Sequence, residues 1–183
     1  MMSLDVCKPL IGFEAPRAIG DYLHRHNFKK TFEFVAGKLN SDDSRRLMKH
    51  LIIENNVSQL SYRQALFTHR ANYIRQARHF MDENKLDFLL YPTLPIRPCV
   101  IDDYKEANLW EIEHNGQQVS WLSKSIQNTE FASVVNFPSI SFPASLPTEG
   151  LPPINMELCS ETGSDRRLLA VACAVEEALG IRE

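Results

Sequence analysis

The chain has 183 residues, 44% of them hydrophobic and 23% charged, with a formal net charge of −3. That length suits one domain or a piece of a larger one, and the charge contains no basic block of the kind that phosphate binding needs, which sets nucleic acid aside as the main partner. No stretch approaches the roughly 20 apolar residues of a membrane span.

The first half reads as helical. Arg17 to His26 is a short helix candidate, and Lys29 to Lys38 is another, with Phe32, Val35 and Leu39 on one face. Ser41 is placed to cap a third helix running through Arg45, Met48 and Ile52. The strongest helix begins near Ser58. Its stripe is Tyr62, Leu66, Tyr73, Ala77 and Phe80. The other side carries Arg63, Arg70, Arg75 and Arg78, which reads as a solvated helix surface rather than an anion-binding face.

Leu86 to Tyr91 is a short apolar run stopped by Pro92. Such a run suits a strand covered on both faces in a parallel or mixed sheet, and a helix leading into it makes an α/β unit. Residues 101–120 read as an excursion. Within them Asn115-Gly116 separates two short alternating runs, which predicts a β-hairpin. Phe137 to Phe142 and Ile154 to Leu158 are the next strands. The chain then closes on a helix with Ser164 as N-cap, Asp165 in its first turn, Gly180 as C-terminal glycine, and a stripe of Leu168, Val171, Ala172, Val175 and Leu179. Three such strands with few covering helices are thin for a sheet shielded on both faces, which points to further material.

From Tyr62-x-x-Ala65-x-x-x-x-Arg70, through "LDFLLYPTLPIRP", the "HNGQQV" hairpin and "NTEFASVVNFPSISFP", to "GLP…MEL…GSDRRLL", residues 58–180 resemble the amidase signature family, nearest its indoleacetamide and mandelamide hydrolase branch. The resemblance implies an α/β fold: the C-terminal portion of a mixed β-sheet flanked by helices, preceded by a helical N-terminal half (1–57), all within one partial domain over 1–183. It implies that Phe137 to Phe142 is a strand, with Pro138 at its start and Pro143 past its end, where a missing N–H costs little.

The same resemblance implies catalysis by a serine nucleophile, a second serine joined by a cis peptide, and a lysine, in a Gly-Ser-Ser-type segment. This sequence contains no Gly-Ser-Ser, no Ser-x-x-Lys and no Gly-x-Ser-x-Gly. A serine attacks only with a base in reach and N–H donors for the oxyanion. Ser123, Lys124 and Ser125 are mere neighbours in sequence and read as an exposed polar stretch. No catalytic residue is therefore assigned. Thr129 is the residue that the resemblance puts on the acyl side of the substrate cavity, and a helix cap or ordinary core threonine is the other reading. Phe131, Ser133 and Thr93 are the remaining lining candidates. Where the family often has glycine, this chain has Asn136, Ser145, Asn155 and Ser160; the two asparagines tolerate left-handed bends.

No cofactor and no metal are expected, because His24 and His26 lie two apart on a helix and point to different sides. The four separated cysteines (7, 99, 159 and 173) read as reduced thiols. Met1 to Phe13 lacks the pattern of a signal peptide, so the expected location is cytoplasmic. Two functions remain open. The chain is a C-terminal fragment or subunit of an amide hydrolase, acting on a small amide only with an N-terminal amidase segment, or it is a free-standing, non-catalytic binding or assembly protein on that scaffold. The first reading expects either that segment or a second copy of the chain as partner, and neither nucleic acid nor membrane.

Overall fold

The computed structural model describes residues 3–40, 45, 48–49, 57–97, 111–145 and 153–180. They form two compact units, 1–72 and 73–183. The expected helix from Ser41 to Ile52 lies largely outside the described residues, as do Cys99 and the first part of the 101–120 excursion.

In the first unit a π-helical turn, Ser3–Cys7, leads into α1, Lys8–Arg25. This helix is longer than the expected Arg17 start. Helix α2, Phe32–Ala36, starts where the Thr31 hydroxyl accepts a hydrogen bond from the Phe34 N–H. Phe32 and Ala36 are its buried residues, packed on Ala15, Ile19 and Met48. Val35 is exposed, contrary to the expected face. The i, i+4 pair wins because α2 is only one turn long and the chain leaves it at Gly37. Helix α3, Gln59–Gln64, is capped by Ser58, whose hydroxyl accepts from the Ser61 N–H. Tyr62 stacks on Phe13 at 4.2 Å between centroids, and its hydroxyl donates to Glu14 Oε1 at 2.7 Å.

Helix α3 runs into a π-helical turn, Ala65–His69, and then α4, Arg70–Glu83. The expected stripe holds at Tyr73 and Ala77 and differs at its end. Met81 is buried where Phe80 was expected, and Phe80 is 52% exposed. Within α4, Tyr73, Ile74, Ala77 and Met81 belong to the core, and the last inward step runs from Ala77 to Met81, four residues on, rather than to Phe80.

The second unit is built on a three-stranded sheet, order β1-β5-β4. Its strands are β1, Leu89–Pro92; β4, Ser139–Pro143; and β5, Asn155–Cys159. Each strand starts one to three residues later than its apolar run suggests. Both described pairings are antiparallel, with Tyr91 and Ser141 both opposite Glu157. Pro143 is the last residue of β4, opposite Asn155, rather than beyond the strand. The Ala144 N–H donates to Ile154 C=O, so by strand alternation the nitrogen of Pro143 faces away from β5 and its missing N–H breaks no bond.

The hairpin forms as expected: β2, Glu111–His114, and β3, Gln117–Ser120, joined by Asn115 and Gly116 at φ 53° and 76°. Positive φ at both turn residues is the type I′ pattern. Then come α5, Trp121–Ser125, and α6, Thr129–Val135, which ends on Asn136 at φ 61°. Asn136 thus keeps its bend, while Asn155 is plain extended strand.

One face of the sheet packs on α4 and α6, through Ala77, Met81, Ala132, Val135, Phe137 and Cys159. The other packs on α7, Asp165–Leu179, through Phe142, Leu158 and Leu168 with Val171 and Val175. Gly180 ends α7 in the left-handed region, as expected. Ser164 does not cap with its side chain; its hydroxyl donates to Glu161 C=O at 2.6 Å instead. Among the described residues no helix is long and apolar enough to cross a membrane.

Candidate functional site

The sheet face under α4 and α6 carries a polar row through its middle. Antiparallel register sets Tyr91, Glu157 and Ser141 side by side across three strands, because residues directly opposite share a face. Glu157 is 4% exposed, and Cys159, two residues on along β5, is fully buried. The Tyr91 hydroxyl donates to Glu157 Oε1 at 3.1 Å. At the end of the row the Thr93 and Ser141 hydroxyls share a hydrogen bond of 2.7 Å. Asn128, just before α6, donates through Nδ2 to Pro92 C=O at 2.7 Å and ties the start of α6 to the end of β1.

Burial pushes the Tyr91 phenol well above its ordinary range, and the neighbouring Cys159 and Glu157 add to the rise. Burial also pushes the Cys159 thiol up; Tyr91 opposes this, and the Glu157 charge reinforces it. A buried thiol held in its protonated form is a poor nucleophile, so Cys159 is a core residue.

Each lining candidate has a defined place. Thr129 is the first residue of α6, half-buried, and its hydroxyl donates to Ile126 C=O at 3.0 Å. Ser133 lies one turn on and donates to Thr129 C=O at 3.2 Å. Phe131 turns into the core, edge-on to Phe137 with centroids 6.0 Å apart. Thr93 sits beyond β1, on Ser141. The Asn128 bridge brings the Thr93 end of β1 toward Thr129, whereas Phe131 is packing. The row of Tyr91, Glu157 and Ser141 escaped sequence reasoning. Its signal was a charged residue inside the apolar run "INMELC" and the alternation of serines in "SISF".

The serines that replace expected glycines are each used. The Ser160 hydroxyl donates to Asp87 C=O at 2.8 Å, and the Ser145 hydroxyl accepts from the Ile154 N–H at 2.9 Å. Ser125 is buried rather than exposed, while the Lys124 ammonium reaches Gln127 Oε1 at 3.0 Å. His24 and His26 are both exposed, and the His26 ring lies against Tyr22. Among the described residues Cys7, Cys159 and Cys173 form no disulfide.

The Thr129, Ser133 and Ser160 hydroxyls donate to backbone carbonyls, that of Tyr91 to Glu157, and those of Thr93 and Ser141 share one bond. The arrangement can hold and orient a polar ligand. Fold and site together define a sheet scaffold of α/β type with a polar strand end.

Comparison with known proteins narrows that class. The Amidase family profile matches residues 4–169, beginning well ahead of residue 58, and the chain belongs to this family. Indoleacetamide hydrolase of Rhizobium radiobacter is 30% identical over 178 residues, and mandelamide hydrolase of Pseudomonas putida 27% over 188. The alignments take in 95% and 98% of this chain but only 36% and 35% of those enzymes. The chain thus spans about a third of the length of the relatives it matches. A bacterial aryl acylamidase of the amidase signature family superposes on 97% of the chain with a TM-score of 0.66 at 23% identity, using 33% of its own chain. A 6-aminohexanoate cyclic dimer hydrolase gives 0.60 at 22%. The fold is that of amidase signature enzymes.

Proposed function

We propose that this chain is the C-terminal scaffold of an amide hydrolase, supplying strands and pocket wall to a site whose nucleophile lies on another segment. The observation that carries this reading is the match to amide-hydrolysing relatives over nearly all of this chain and about a third of theirs, combined with a sequence that lacks a Gly-Ser-Ser or Ser-x-x-Lys pattern. The chain alone hydrolyses nothing. Completed, it acts on a small primary amide such as an arylacetamide, through an acyl-enzyme. Thr129 and the Thr93–Ser141 pair then stand at the wall of the acyl pocket, where hydroxyls orient a polar group without attacking it.

The test is ammonia release from indole-3-acetamide and mandelamide. It compares the chain alone with the chain co-expressed with those residues of the R. radiobacter enzyme that have no counterpart here. Turnover only in the second sample supports the reading. Turnover by the chain alone, or in neither sample, contradicts it.

A non-catalytic, free-standing role is favoured by one feature. The second unit has a buried core on each face of its sheet. That role predicts cooperative unfolding and a stable monomer for the isolated chain; a molten chain that binds hydrophobic dye counts against it.

A further inference from the structure

The cover on the sheet stops short. Leu90 lies directly beside Leu158 in the register, yet Leu158 is 4% exposed and Leu90 is 55% exposed. The reason is the position of α7, whose Leu168, Val171 and Val175 reach Leu158, Met156, Ile140 and Phe142 but not Leu90. Pro92 is exposed on the same side of β1. The Thr93 N–H donates to Asn155 C=O, which extends the pairing one step. At that end Ile154 continues the Met156–Leu158 side of β5 at 60% exposure, and Leu94 follows Thr93 at 47%. Leu90, Pro92, Leu94 and Ile154 thus make a bare apolar strip over β1 and the start of β5. The Arg167–Asp87 ion pair, 2.8 Å and well exposed, stands near its rim, with the guanidinium over Phe88. An apolar strip with a polar rim is the make-up of a protein interface.

The edge of β1 narrows the choice of occupant. Odd-numbered residues of β1 bond to β5, so the backbone groups of Leu90 and Pro92 point outward. Pro92 has no N–H, and its carbonyl is taken by Asn128. Only Leu90 is left to pair, too little for two copies of β1 to zip edge to edge. What the strip lacks is a layer over it. The aryl acylamidase accommodates nearly the whole of this chain in a third of its own length, so that architecture has further polypeptide to lay over such a face.

We propose that the Leu90–Leu94–Ile154 strip is the docking surface for a polypeptide carrying the remaining two thirds of an amidase domain. This rests on the function proposed above. The experiment co-expresses the full chain with a tagged polypeptide made of the R. radiobacter indoleacetamide hydrolase residues that have no counterpart here, and measures the mole ratio recovered on affinity purification. The expected result is near-stoichiometric recovery, reduced about tenfold or more by the double substitution Leu90→Lys/Ile154→Lys, as loss of a buried interface centre implies. Leu60→Lys, at another strongly exposed leucine (68%), leaves recovery unchanged. If the lysine variant loses its thermal transition, Leu90→Ala/Ile154→Ala replaces it and lowers recovery in the same direction.

Three results overturn the proposal: no recovery of the wild-type chain, recovery indifferent to both double variants, or a dimer of the chain alone that the lysine variant dissolves. Amide hydrolysis is read separately. An inactive complex that depends on the strip removes the proposed function and leaves the docking surface. An active complex indifferent to the strip does the reverse.

Discussion

Replacing Tyr91 by Phe removes one oxygen from the core and leaves the Glu157 carboxyl without the donor it has there. Glu157 is 4% exposed and shares its face with a core formed by Ala77, Met81, Val135 and Phe137, so water does not readily take the place of the phenol. A buried acceptor stripped of its partner costs about 1–3 kcal/mol, and the middle of that range is the expected loss. For a domain of this length about 2 kcal/mol lowers Tm by roughly 4–8 °C. Glu157→Met in the Tyr91→Phe background removes the stranded acceptor and recovers most of the loss, since replacing both partners by apolar groups is nearly neutral. Urea unfolding followed by circular dichroism on the four proteins gives the coupling energy. A Tyr91→Phe change below about 0.5 kcal/mol, or a double variant no better than the single, refutes the claim that this hydrogen bond satisfies a buried carboxyl.

Met81→Ala costs about 3 kcal/mol by opening a cavity, while Phe80→Ala one position away costs less than about 0.5 kcal/mol; chemical denaturation of each reads out which of the two faces the core. Stability falls on the alkaline side. The folded-state pKa values of Cys159 and Tyr91 are both raised, so their contribution is complete below the unfolded values, about 8.5 and 10, and is lost as pH rises through them. Cys159→Ala flattens the first part of that fall and Tyr91→Phe the second, as Tm measured from pH 7 to 11 shows. Asn136→Ala costs about 1 kcal/mol at its left-handed position, and Asn136→Gly costs almost nothing by the same unfolding assay.

The elements legible in the sequence were those whose signal is local. Ser58 capped a helix, Asn115-Gly116 turned a hairpin, Asn136 and Gly180 took left-handed ends, and the α7 stripe faced the sheet through Leu168, Val171 and Val175, though not at Leu179, which is exposed. What escaped depended on neighbours distant in the chain. Phe80 and Met81 are both apolar and follow Ala77 by three and four residues, and only packing decides that Met81 is the one buried. The polar row exists only because register places Tyr91 and Ser141 on either side of Glu157, residues drawn from three separated segments. Ser164 looked like an N-cap, but a carbonyl three residues back offered its hydroxyl a better partner. Thr129 and Thr93 were named by resemblance, and a contact made by neither of them, from Asn128 to Pro92, links their segments.

The most direct test of a scaffold without its own nucleophile is chemical. The purified chain is treated with an excess of a fluorophosphonate, which phosphonylates serines that a base has activated and releases fluoride, and the intact mass is then measured. The expected spectrum shows the unmodified mass alone. A single stoichiometric adduct mapped to any serine between Ser3 and Ser164 would show an activated nucleophile within the chain and contradict the assignment of its chemistry elsewhere.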